Sequence, residues 1–328
     1  MSESVRPGLV LIGCGAVAAL HSRTLRRILP EVPRYYASRD SARAAAFDRE
    51  HRGSGSFGSY AAAFDDPRID VALIATPPVL HLPLTLQALE RGKHVIVEKP
   101  PFLDVAELDR AAALAQRVGR QVMVAENYYY RRLTAELRAI IGSGRLGDVL
   151  FVNVNALKRQ RADDWRADPA LAGGDALFEG GIHWISLLGN IGLTIRNVHI
   201  VRPGGRATHH ARSAAVAIEY AEGAAGVLVY SWEVHSPLQG LRISRIYGTR
   251  NTATFESNGL FLAVGARTRL VPGGFRDLRG YRAMFRDFFD ALRTGRPPQY
   301  TLELARRDLE LVTVAATTPV AAAATDTA

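Results

Sequence analysis

Over the first third of the chain, apolar residues come in short runs separated by amphipathic stretches. The runs are Leu9 to Ile12, Arg34 to Ala37, Val71 to Ala75, His94 to Val97 and Gln121 to Ala125. Runs of this length without polar alternation suit strands covered on both faces. Between them, the segments near 17–29, 40–51, 80–91 and 104–118 carry apolar positions at helical spacing. Gly92 stops the third of these helices, and Asp104 caps the fourth with Glu107 at the capping-box spacing. Strand and helix in alternation predict an α/β domain around a parallel sheet.

Beyond residue 127 the rhythm changes. Strand-like segments follow one another at Val149 to Leu157, Ala214 to Tyr220, Gly226 to Trp232, Leu241 to Tyr247 and Thr252 to Glu256. That pattern predicts an α+β domain with a mostly antiparallel open sheet, on which a helix over 176–189 packs. Helices near 280–293 and 302–315 close the fold, and an Ala/Thr-rich tail at 317–328 is expected to be flexible. The division is therefore 1–127, 128–316 and the tail.

Composition narrows the function. With 328 residues, 48% of them hydrophobic and 22% charged, the chain is long enough for two cores and ordinary for a globular protein. The net charge of +9 is spread along the sequence without a basic block, so an anion-binding pocket is expected rather than nucleic acid. Only Lys93, Lys99 and Lys158 are lysines; unlike arginine they can release a proton, which makes each a candidate for proton handling. The single cysteine, Cys14, excludes an internal disulfide and reads as a small filler between two glycines in a reducing cytoplasm. Arg6 and the apolar stretch Leu9 to Leu20 mimic a signal peptide, but Gly13 and Gly15 interrupt it. No run has the length of a membrane span, so a cytoplasmic protein without a membrane partner is expected.

The same glycines carry the first chemistry. Leu9-Val-Leu-Ile-Gly13-Cys-Gly15-Ala16-Val17-Ala18 ends the first strand and opens the first helix. There Gly13 permits a tight turn, Gly15 lets backbone amides approach a pyrophosphate, and Ala18 allows close helix–strand packing. This context predicts a Rossmann domain that binds a dinucleotide. At the end of the second strand, where an acid would select NAD, stand Ser38 and Arg39. A hydroxyl and a guanidinium suit a 2′-phosphate, so NADP is favoured and NAD remains possible. Thr76-Pro77-Pro78 ends the third strand with His81 following, and Glu98-Lys99-Pro100 ends the fourth, aimed at the same edge of the sheet.

These motifs, together with Gly173-Gly174-Asp-Ala-Leu-Phe-Glu179-Gly180-Gly181-Ile-His183, resemble the glucose-fructose oxidoreductase / inositol dehydrogenase / rhizopine catabolism (Gfo/Idh/MocA) family over nearly the whole chain. The resemblance implies that Lys99 and His183 surround the reacting carbon, with Glu179 at the position of a family aspartate and Ser186 at that of another. It also implies that Asn127 lies near the cofactor, that the substrate is a sugar, cyclitol or sugar derivative, and that the protein is a homodimer or homotetramer. By spacing, Glu179 and His183 share one helical face and can touch, and the helix cost of Gly180 and Gly181 implies a close approach there by a cofactor or the sheet.

The expected reaction is hydride transfer between nicotinamide and a secondary alcohol or ketone. His183 takes the hydroxyl proton, Lys99 hydrogen-bonds the alkoxide and Glu179 orients His183. Lys158, Trp165, Arg166 and Tyr128 are candidate substrate contacts; Tyr129 and Tyr130 line the cleft or simply pack. Cofactor recycling for elimination or glycoside cleavage, and a non-catalytic regulatory role, stand as alternatives. His209 and His210 are not read as metal ligands, since adjacent residues diverge. The loop Gly53 to Gly58 is read as a flexible connector.

Overall fold

The computed structural model describes residues 7–160, 165–203, 211–235, 241–265, 267–270 and 277–317. His209, His210 and the tail beyond 317 lie outside the described residues. The first sheet contains β1 (Leu9–Ile12), β2 (Arg34–Ala37), β3 (Gly55–Phe57), β4 (Val71–Ile74), β5 (His94–Val97) and β6 (Val122–Val124). They are parallel, in the order β3-β2-β1-β4-β5-β6. The order reverses beside β1, and open sheets of this kind take ligands in the crevice at the carboxyl ends of the strands at that point.

Helices α1 (Ala16–Ile28), α2 (Ser41–His51), α3 (Tyr60–Asp65), α4 (His81–Glu90) and α5 (Val105–Val118) alternate with these strands. All four β1 residues are buried because both faces are covered. Val10 and Ile12 join a core with Leu84, Leu89 and Leu108 of α4 and α5, while Leu9 and Leu11 join one with Ala18 and Leu25 of α1. Asp104 caps α5 as expected, its Oδ1 accepting from the Glu107 amide at 2.8 Å.

The connector expected at Gly53 to Gly58 is instead an edge strand. Residues Gly55 to Phe57 pair in parallel with Tyr35, Tyr36 and Ala37. A Cβ at Gly53 would overlap the Tyr36 ring and the Asp48 carboxylate, so here glycine brings the edge strand close to its neighbour rather than loosening the chain. A three-residue strand has no periodicity to read, which hid it.

Next come α6 (Arg132–Gly142), β7 (Val149–Leu157), α7 (Pro169–Ala172), a wide π-turn (Leu177–Gly181) and α8 (Ile182–Gly189). The strands that follow are β8 (Ile195–Val201), β9 (Ser213–Tyr220), β10 (Ala225–Ser231), β11 (Ile243–Gly248), β12 (Thr252–Glu256), β13 (Phe261–Val264) and β14 (Arg267–Leu270), before α9 (Tyr281–Thr294) and α10 (Leu302–Thr317). The second sheet runs β14-β13-β12-β11-β7-β10-β9-β8. Only the β7–β10 pair is parallel. Val152, Val154 and Ala156 of β7 face the core while Phe151 and Asn153 face outward, the alternation of a sheet covered on one side.

Helix α9 returns to the first sheet, where Met284, Phe285 and Phe288 pack with Leu9, Leu11 and Met123. Both sheets thereby wall one cleft. Among the described residues no helix is long and apolar enough to cross a membrane.

Candidate active site

The carboxyl end of β1 forms a cradle. Gly13 has φ 100°, and a Cβ there would press against the Ala75 carbonyl. Gly15 caps α1 without any side-chain hydrogen bond, and a Cβ there would meet nothing within 4 Å. The first amides of α1 have no intrahelical acceptors and face open space, which fits a diphosphate at a helix N-terminus. Ala16 and Val17 complete the turn, and Ala18 is fully buried against the sheet.

The loops after β4 and β5 are tied together from behind. His81 Nε2 lies 2.9 Å from the Thr76 carbonyl, and its Nδ1 lies 2.9 Å from the Pro100 and 3.1 Å from the Pro101 carbonyl. His81, expected at the cofactor, is buried beneath both loops with each ring nitrogen near a backbone carbonyl and lines neither of the cavities described below. Glu98 is similarly engaged, one oxygen with buried His21 and the other with the Lys99 amide. Burial pushes its carboxyl up, but the hydrogen bond and charge of His21, with Lys99, hold it below the usual range. The Lys99–Pro100 peptide is cis.

Lys99 crosses the cleft to the π-turn. Its Nζ donates to the Glu179 carbonyl at 2.8 Å and to Glu179 Oε1 at 3.0 Å, while Arg166 Nε donates to the same Oε1 at 3.1 Å. Burial opposes the Glu179 carboxylate, but the two cations outweigh it and hold its pKa at about 2. The π-turn answers why two glycines stand here: a Cβ at Gly180 would overlap the Tyr230 hydroxyl on β10. It is the sheet that comes close.

The expected Glu179–His183 contact is replaced by another. His183 Nδ1 lies 2.8 and 2.9 Å from the two carboxylate oxygens of Glu126, and the Tyr128 ring stacks on the imidazole at 4.4 Å and 7°. The π-turn breaks the regular four-residue stacking assumed from spacing, so Glu179 meets Lys99 and Arg166 while Glu126, just past β6, takes the imidazole. Burial first, then Lys99 and Arg131, push His183 well below its ordinary pKa. Burial pushes Glu126 up to about 8 against the Tyr128 amide, Lys99 and Arg131. Sequence reading missed Glu126; its one signal was a carboxylate at the carboxyl end of a strand in such a sheet.

Two cavities meet in the cleft. One, of 470 Å³, is lined by Gly13, Gly15, Ala16, Val17, Ser38, Arg39, Thr76, Pro77, Glu98 and Lys99, with Arg43 and Tyr60 also at its wall. The other, of 340 Å³, is lined by Tyr128, Lys158, His183, Tyr230 and Arg242 among others. Lys99, Arg166 and Glu179 line both. Trp165, expected at the substrate, lines the first cavity along with the glycine loop. Asn127, expected at the cofactor, lines the second, its amide donating to the Arg279 carbonyl. Tyr129 and Tyr130 pack, Tyr130 Oη donating to Asp287 at 2.7 Å. Ser186 is buried beneath the site, its carbonyl accepting from Asn190 at 2.6 Å. Among the described residues no cluster could hold a metal ion.

Comparison with known proteins decides the family. Residues 8–126 match the family described as "Oxidoreductase family, NAD-binding Rossmann fold", and residues 134–254 match the Gfo/Idh/MocA C-terminal domain. The chain belongs to the Gfo/Idh/MocA family. This Gfo/Idh/MocA chain is 34% identical over 199 residues to dTDP-3,4-didehydro-2,6-dideoxy-alpha-D-glucose 3-reductase of Streptomyces violaceoruber, covering 57% of this chain and 55% of that protein. It is 36% identical over 146 residues to D-xylose 1-dehydrogenase (NADP(+)) 2 of Haloferax volcanii, covering 44% and 45%. Such matches span about half the length of these relatives or less. In fold, it resembles an oxidoreductase domain protein from Kribbella flavida (TM-score 0.84, 21% identity, 95% of this chain and 96% of that). A levoglucosan dehydrogenase in complex with NADH is equally similar (TM-score 0.84, 21% identity, 95% and 97%).

Proposed function

We propose that the protein is an NAD(P)-dependent oxidoreductase acting on a secondary alcohol or its ketone in a sugar, cyclitol or sugar derivative. The observation that carries this reading is the junction of the two cavities at Lys99, with His183 on the wall of the second. The glycine cradle, Thr76, Pro77 and the face of Trp165 would hold the dinucleotide, whose nicotinamide supplies a hydride acceptor or donor when bound. Of the three Lys99 donors, two engage Glu179 and the third is left for a substrate oxygen, where it stabilises developing negative charge. With Nδ1 held by Glu126, His183 offers Nε2 to the hydroxyl proton. Glu126 and Glu179 act as positioning residues for the two. Residues 1–127 and 128–316 serve as the dinucleotide-binding and substrate-binding parts.

Ser38, Arg39 and Arg43 together at the far wall of the first cavity favour NADP over NAD, because guanidinium groups pair with a 2′-phosphate. The outer face of the second sheet exposes Phe151 at 57%, Val227 at 44% and Tyr247 at 36% on three neighbouring strands. An apolar patch of this kind supports a homo-oligomer paired through the sheet. A panel of sugars, inositols and sugar nucleotides, followed by nicotinamide absorbance with each cofactor, tests the reading. No turnover of any polyol, together with cofactor binding, would favour a regulatory role instead. Product formed with only catalytic amounts of cofactor would favour elimination or glycoside cleavage.

A further inference from the structure

The second cavity carries more positive charge than hydride chemistry on a neutral polyol requires. Lys99, Arg131, Lys158, Arg166, Arg242 and Arg279 line it against a single lining carboxylate, Glu179. That carboxylate is shared by Lys99 and Arg166. Of the other four, Arg279 is exposed; Arg131, Lys158 and Arg242 remain, and no carboxylate among the described residues forms an ion pair with any of them.

Two of the three are also deeply buried. Arg131 is 6% and Arg242 8% exposed. Nε and Nη1 of Arg131 and Nε of Arg242 have no hydrogen-bond partner. The Arg131 guanidinium lies over the Tyr128 ring, 3.2 Å from its centroid, and Arg242 Nη2 donates to Asn258. The nearby acids are committed elsewhere: Glu126 is held by His183, and Glu256 accepts from the Asn258 amide and side chain. Burial and then Arg242 push Lys158 down to about 8, with Glu179 opposing, the direction expected for a buried ammonium beside other cations. A buried cation without a carboxylate to neutralise it is costly, and these three come from separate elements, the start of α6, the end of β7 and the approach to β11. They converge on one space without an ion pair.

We propose that the substrate is a polyol bearing an oxyanion, a carboxylate or a phosphate, gripped by Arg131, Lys158 and Arg242 while Lys99 and His183 engage one of its hydroxyls. Guanidinium forks match such groups bidentately. The proposal rests on the oxidoreductase reading and narrows its substrate class.

Calorimetric titration of the cofactor-loaded protein tests it. D-glucuronate, D-galacturonate and D-glucose 6-phosphate are each compared with the neutral parent sugar, with turnover recorded in the same samples. At least one anion should bind ten times more tightly than its parent or better, and Arg242→Gln and Lys158→Met should each bring that anion down about tenfold toward the parent. Uronate against phosphate preference separates the two sources of the oxyanion. Failure of every anion to outbind its parent overturns the proposal, as does a preference that survives both substitutions. Unfolding midpoints of the variants at or above wild type exclude lost folding as the cause. Turnover of neutral sugars without anion preference sinks this inference alone, whereas anion binding without turnover of any sugar sinks the oxidoreductase reading and leaves the anion site standing.

Discussion

His183 Nδ1 lies 2.8 Å from Glu126 Oε1, although 57 residues separate the two. Whether Glu126 carries a proton decides what Nε2 can do. When Glu126 is protonated it donates to Nδ1, and Nε2 carries the hydrogen. When Glu126 is a carboxylate it accepts from Nδ1–H, and Nε2 presents a lone pair. Burial, with Glu98 nearby and with Lys99 and Arg131 opposing, puts that change at about 8. Alcohol oxidation needs the lone pair, so its rate should rise with pH through about 8, while ketone reduction should fall over the same range. Glu126→Gln should lower kcat and erase this inflection in a pH–rate profile. A variant that keeps the wild-type profile would show that Glu126 does not set the tautomer.

Lys99→Ala and His183→Ala should each lower kcat by about a hundredfold or more, the usual worth of a positioned proton-transfer group. Cofactor affinity, measured by fluorescence titration, should change little. Loss of cofactor binding equal to the loss of turnover would argue against a role at the reacting carbon.

Glu179 holds Lys99 and Arg166, so shortening it moves Lys99 rather than His183. Glu179→Asp should reduce kcat on the best substrate by about tenfold to a hundredfold, since displacements near 1 Å carry costs of that order, even though it restores the family residue. Steady-state kinetics on one substrate panel decide. Unchanged values on every substrate would separate Glu179 from the reacting group.

Arg39→Ala should weaken NADP far more than NAD, because only NADP carries the 2′-phosphate. Arg43→Ala is expected to act in the same direction, although Arg43 also donates to the Cys14 carbonyl at 2.8 Å. Equal losses for both dinucleotides, measured as dissociation constants, would remove the assignment.

Gly180→Ala should lower stability by about 1–3 kcal/mol, the typical cost of overpacking, because the new methyl meets the Tyr230 hydroxyl. Thermal unfolding would register it as a shift of several degrees. An unchanged midpoint would mean that the π-turn can back away from β10.

The early strands, the Gly13 turn and the Asp104 cap were legible in the sequence because each depends on residues a few positions apart: apolar runs, a positive φ, a side chain reaching three residues on. The order of the motifs was likewise enough to bring Lys99 and Glu179 into one site. What remained hidden depended on partners distant along the chain. The short edge strand β3 exists only because β2 offers it unpaired backbone, and α9 belongs to the first sheet through Met284, Phe285 and Phe288, whose helical spacing names a face but not what covers it. Arg131 and Arg242 line the second cavity from two distant segments, with Glu126 buried against His183, and no local pattern marks a polar side chain as facing a cavity. The π-turn rotates Glu179 away from His183 because Tyr230 lies beneath Gly180, and that contact is fixed by how the helix layer settles on the second sheet. Local geometry thus determined the elements and the glycine cradle, while only the packing of distant segments decided which carboxylate holds His183 and which cations are left without a carboxylate.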